Sequence, residues 1–159
     1  MKKLILTAAL LIAACNQAGT TASSTAAAPQ SLMQQAQAKE PEMQPVFAYQ
    51  TLAAYQTTHA DATPRCDRVR GAQSMGVIPS DVAPGSVYQP FVGDLVFSVQ
   101  CGPQLTTVAP DPHQHWLVVM APGAADATVV TCADAHGNDA CPPVVPRAAP
   151  AAATATTHS

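Results

Sequence analysis

Alternation of apolar and polar positions is clearest in the middle of the chain. Within Phe91–Cys101, residues Leu95, Phe97, Val99 and Cys101 fall on one face, and Asp94, Val96, Ser98 and Gln100 on the other. That period of two is the signature of a strand. Trp116–Met120 is apolar at every position, which predicts a central strand covered on both sides. Ala121–Asp126 carries turn residues and Ala127–Cys132 resumes a strand pattern, so the three segments together predict a β-meander. Fainter patterns place an earlier strand near Arg68–Val77 and short strand pieces at Ser86–Tyr88. Upstream, Ala48, Leu52 and Tyr55 recur at i, i+4 and i+7. They predict a helix over Val46–Gln56, with Pro45 suited to its first position. The fold class expected is mainly β or α+β, a small domain over residues 45–145.

Composition limits what this domain can be. The apolar fraction of the 159 residues is 48%, but 32 of them are alanine, which buries little area. The larger core formers suffice for one domain of roughly 100 residues and not for two. Residues 15–44 are mostly Ala, Thr, Ser, Gln and Pro, and 146–159 are similar. Neither segment has enough apolar surface to offset its ordering entropy, so a flexible tether, with room for a short helix across Leu32–Lys39 ended by Pro41, and a disordered tail are expected. Only 11% of residues are charged and the net charge is −3. Seven Lys and Arg residues are too few for a phosphate-binding surface, which argues against nucleic acid as a partner.

The first sixteen residues carry the most specific pattern. Lys2 and Lys3 precede an apolar run from Leu4 to Ala14 that only Thr7 interrupts. As a helix this run rises roughly 16 Å, about half of a hydrocarbon core, so it reads as an export signal rather than a span. It ends in Ile12-Ala13-Ala14-Cys15. This resembles the lipobox of bacterial lipoproteins. The resemblance covers residues 1–16 and implies that 1–14 are a signal peptide, with Ile12, Ala13 and Ala14 read by the lipoprotein signal peptidase. It also implies that Cys15 is the lipidated residue, carrying fatty acyl chains such as palmitate. Two or three such chains hold a protein firmly in a bilayer, where one holds it marginally. In Gram-negative lipoproteins an aspartate after the cysteine favours the inner membrane. Asn16 stands there instead, which points to the outer membrane facing the periplasm.

An oxidising compartment changes the reading of the other cysteines. Cys66, Cys101, Cys132 and Cys141 make an even set in an exported chain, and so two disulfides. Three pairings are possible, and Cys66–Cys101 with Cys132–Cys141 is favoured because His136–Asp139 can turn sharply. Loop closure then contributes about 3.8 and about 2.7 kcal/mol respectively. No C-x-x-C pair is present to suggest redox catalysis.

Candidate binding chemistry is sparse. His113 and His115 precede the Trp116 strand and share a face if the strand starts early. With His136, Asp111, Asp134 or Asp139 as a third ligand they offer a Zn²⁺ or Cu²⁺ site. Arg65, Arg68 and Arg70 flank Cys66, and alternation puts Arg68 and Arg70 on one face. Such a group suits an acidic glycan, a lipid headgroup or a partner's carboxylates. Trp116 and Tyr88 are candidates for a sugar platform. Ser74, Ser80, Ser86 and Ser98 lie in no nucleophile elbow. There is no phosphate-cradling glycine loop or dinucleotide fingerprint, so neither an enzyme nor a cofactor is indicated. The expected function is a membrane-anchored structural or interaction module with an envelope protein or glycan as partner. The alternative is a periplasmic metal-binding protein using His113 and His115.

Overall fold

The computed structural model describes residues 29–62, 64–102, 111–136 and 141–148. The signal segment with Ile12, Ala13, Ala14 and Cys15, and the tail beyond residue 148, lie outside the described residues. No helix among the described residues is long and apolar enough to cross a membrane.

Four antiparallel strands form a single sheet in the order β1-β2-β3-β4, a meander. They are β1 (Val69–Val77), β2 (Leu95–Cys101), β3 (His115–Met120) and β4 (Thr128–Thr131). Among the described residues three helices accompany them: α1 (Leu32–Gln37), α2 (Gln44–Thr58) and α3 (Cys132–His136). The result is a small α+β domain braced by two disulfides, Cys66–Cys101 and Cys132–Cys141.

The sheet separates two apolar layers. On one side Leu95, Phe97, Val99, Trp116, Val118 and Met120 pack against Ala48 and Leu52 of α2 and against Ala36 of α1. The Cys66–Cys101 link belongs to this layer. On the other side Val96, Leu117 and Val119 pack against Ile78, Val82, Val87 and Tyr88, and this layer contains Cys132 and Cys141. The alternation along β2 and the uniformly apolar β3 are explained by these two coverings, since β3 is buried at all six positions.

Helix α2 has Pro45 in its first turn, and Ala48, Leu52 and Gln56 are its buried residues. The third contact of this face is thus Gln56 at i+8. Tyr55, which sequence spacing favoured, packs half-buried against the same layer. Burial of the Gln56 amide is tolerated because its Oε1 accepts from the Cys66 N–H at 3.0 Å and its Nε2 donates to Pro64 O at 3.4 Å.

Three sequence expectations are corrected. The ordered fold starts before residue 45, with the short helix read over Leu32–Lys39 present as α1: Ser31 and Gln34 form a reciprocal capping box on it, and the Leu32 N–H donates to Ala124 O at 2.9 Å. These bonds and the burial of Ala36 supply what the apolar content of 29–44 alone does not. The tail, expected to be disordered from 146, begins with paired backbone. Ala83 N–H donates to Pro146 O and Ala148 N–H to Asp81 O, both at 2.8 Å, and Arg147 pairs with the Asp81 carboxylate. Ser86–Tyr88 is a turn, not a strand, leading into a 3₁₀ turn over Gln89–Phe91. Pro84-Gly85 and Pro90 punctuate that stretch and prevent continuous pairing.

Candidate functional site

Two places on the domain gather chemically useful side chains. The first is an exposed depression of about 290 Å³ lined by Arg65, Asp67, Arg68, Gly102 and Gln114. Its backbone is held at several points. Cys66 is tied to the end of β2 by its disulfide and to α2 by Gln56, and Gly102 N–H donates to Arg68 O at 2.9 Å. Gly102 has φ +98° and sits directly under the Gln114 amide, where a Cβ would meet Oε1 at 2.1 Å. A side chain at 102 is therefore strained and would push Gln114 aside. Arg65 and Arg68 are exposed, so fixed main chain carries two unburied guanidinium groups.

The partners in this depression differ from those alternation suggested. β1 begins at Val69, and a register irregularity falls between Val69 and Gly71. Arg68 therefore precedes the strand and shares its setting with Arg65, while Arg70 is half-buried in the irregular step.

The second place is buried in the layer that holds the Cys132–Cys141 link. The strand starts at His115, and His113 lies before it in a 3₁₀ turn over Pro112–Gln114 whose first N–H groups are capped by Asp111. The period-two relation needed for a shared face therefore does not reach His113. Its side chain is exposed, whereas His115 is 2% exposed, so the two rings are not brought together. Of the third ligands considered, Asp111 caps the 3₁₀ turn, the Asp134 carboxylate accepts from Thr131 Oγ1, and Asp139 and the side chain of His136 lie outside what is described.

His115 instead meets Ser98. The β2–β3 register pairs Ser98 with Leu117 and Gln100 with His115, which makes Ser98 and His115 diagonal neighbours on one face. Ser98 Oγ and His115 Nε2 are 2.6 Å apart. Burial holds the imidazole pKa below its usual value, so the ring is neutral. Nδ1 has no hydrogen-bond partner among the described residues. A ring nitrogen of His115 also lies within 4.8 Å of both Cys132 Sγ and Cys141 Sγ. A hydroxyl beside a neutral imidazole can exchange a proton, but no carboxylate among the described residues holds Nδ1 as in a hydrolytic triad.

Trp116 and Tyr88 are core residues, 3% and 0% exposed, so they form no sugar platform. Tyr88 Oη donates to Pro142 O at 2.5 Å, and Gln73 Nε2 donates to Pro143 O at 2.9 Å. Both bonds hold the Cys141 segment on the sheet. A further concavity, about 660 Å³, lies between α1, α2 and residues 125–127, with Phe47 and Tyr55 among its walls.

Comparison with known proteins finds no family model that matches the chain, no similar curated protein and no similar solved structure.

Proposed function

We propose that this chain is an envelope lipoprotein, held in the outer membrane by acylated Cys15, whose domain is a non-catalytic binding module. Its docking point is the Arg65–Arg68 depression, and the group it receives is a carboxylate of an envelope partner. The observation that carries this reading is charge segregation. Removing Lys2 and Lys3 with the signal leaves five cations against ten acids, and three of the five fall within residues 65–70. Arg147 is paired with Asp81, while Arg65 and Arg68 are exposed on main chain that the disulfide and two hydrogen bonds pin. Planar guanidinium groups match carboxylates in bidentate geometry, and Gln114 adds an amide beside them. A fixed backbone lowers the ordering cost of docking. Confinement to a membrane then raises the effective concentration of a module that binds weakly on its own.

The metal-binding alternative on His113 and His115 requires one ion to reach an exposed ring and a buried one, so the arginine depression is the better-supported site.

Two measurements test the reading. Intact mass and detergent-phase partition of the native protein are expected to show an acylated Cys15, and Cys15→Ser to give soluble, unacylated protein. The soluble form is expected to bind immobilised polyglutamate, to elute as salt screens the contact, and to lose retention in Arg65→Gln/Arg68→Gln. Equal retention of the double variant would sink the docking point, and an unmodified Cys15 would sink the anchor.

A further inference from the structure

We propose that His115, Cys132 and Cys141 form a Zn²⁺ site that is masked while the two cysteines are joined and becomes available when a dithiol reduces them. The donor atoms of all three residues lie within 4.8 Å of one another, and all three residues are buried. In a tetrahedral site built on Zn–S bonds of about 2.3 Å, donor atoms stand about 3.8 Å apart. On reduction the two sulfurs, now bonded, move apart to that spacing, while the ring nitrogen, within 4.8 Å of both, closes by about an ångström or less. Two thiolates and one imidazole are the soft and borderline donors that select zinc over the oxygen-seeking cations.

One ring nitrogen is left unpartnered for this role. His115 Nε2 is taken by Ser98 Oγ at 2.6 Å, and Nδ1 is a buried nitrogen with no partner among the described residues. Ligating histidines are commonly positioned by a hydrogen bond at the other nitrogen. The tautomer this requires carries its proton on Nε2, donated to Ser98 Oγ, and its lone pair on Nδ1. Charge also fits: two thiolates, one Zn²⁺ and a neutral imidazole sum to zero, which an apolar layer accepts more readily than a net charge.

Contacts other than the link between the cysteines also hold the three residues. His115 is held by its pairing with Gln100, and Cys132 follows Thr131, which is bonded twice to Asp134. Cys141 is followed by Pro142 and Pro143, whose carbonyls accept from Tyr88 and Gln73. The chemistry balances: the dithiol gives two electrons and two protons, the Sγ–Sγ bond breaks, and the dithiol leaves as a cyclic disulfide. Zn²⁺ then displaces the two thiol protons to solvent as two Zn–S bonds form.

The test uses the whole soluble chain, reduced by a dithiol that is then removed under anaerobic conditions. Cobalt, a coloured substitute for zinc, is expected to bind one equivalent with a thiolate-to-metal charge-transfer band that Zn²⁺ abolishes. The disulfide-linked chain is expected to show neither. Zn²⁺ is expected to shield Cys132 and Cys141 from alkylation and to leave Cys66 and Cys101 reactive. Ser98→Ala should weaken binding about tenfold, and His115→Phe should weaken it further. Absence of the cobalt band in the reduced chain, shielding of Cys66 and Cys101 instead, or unchanged affinity in folded His115→Phe would each overturn the proposal. If His115→Phe does not fold, the alkylation pattern of the unmodified chain decides alone.

Discussion

Tyr88 couples the sheet's second layer to the segment that carries Cys141, and replacing it with phenylalanine separates two contributions. The ring is fully buried and its hydroxyl donates to Pro142 O at 2.5 Å. Tyr88→Phe keeps the ring and removes that donor, leaving a carbonyl short of a partner. A loss of about 1–2 kcal/mol is expected near neutral pH. Burial also raises the phenol pKa from 10.0 to about 12. Unfolded Tyr88 therefore releases its proton near pH 10, while the folded form holds it to about 12. Between those values the unfolded state binds fewer protons, so stability falls by about 1.4 kcal/mol per pH unit and by about 2.7 kcal/mol in all. Below pH 10 the contribution is fully present. The assay is urea unfolding at a series of pH values, followed through the fluorescence of Trp116, the sole tryptophan. The native chain is expected to lose stability steeply from pH 10 to 12 and the variant to lack Tyr88's share of that slope. Parallel curves for the two proteins would refute the assignment.

Other substitutions probe separate parts of the fold. Leu52→Ala empties a fully buried position beneath α2 and is expected to cost about 2–5 kcal/mol by thermal or urea unfolding. Ser31→Ala removes one half of the α1 capping box and is expected to cost about 1 kcal/mol, with faster amide exchange over residues 32–37. Gly102→Ala is expected to cost about 1–2 kcal/mol from its left-handed backbone and to displace the Gln114 amide. Polyglutamate retention should therefore fall in Gly102→Ala although no arginine has been changed.

Much of the sheet was legible in residue order because burial and alternation coincide there. Leu95, Phe97, Val99 and Cys101 do share a layer, and Trp116–Met120 is the doubly covered strand that its composition suggests. The two disulfides also follow the favoured pairing. Local apolar content failed where polar contacts supply the stability. Helix α1 was legible as a short helix within a tether, but its place in the ordered fold rests on a serine, a glutamine and a backbone bond to Ala124. Gln56 is buried because a partner ten residues away, the Cys66 N–H, satisfies it. The Ser98–His115 contact depends on strand register, and register depends on β3 beginning at His115 rather than at His113. Nothing in local spacing specifies that. The arginine group was visible as a cluster, but the bulge at the start of β1 decided which two of the three share a depression.

Each apolar layer contains its own cystine, with the sheet standing between them. The molecule is thus riveted separately on its front and its back. Cutting the back rivet loosens one panel while the other still clamps the helices to the strands. Neither link depends on the other for its place in the chain, so each layer carries its own covalent clamp.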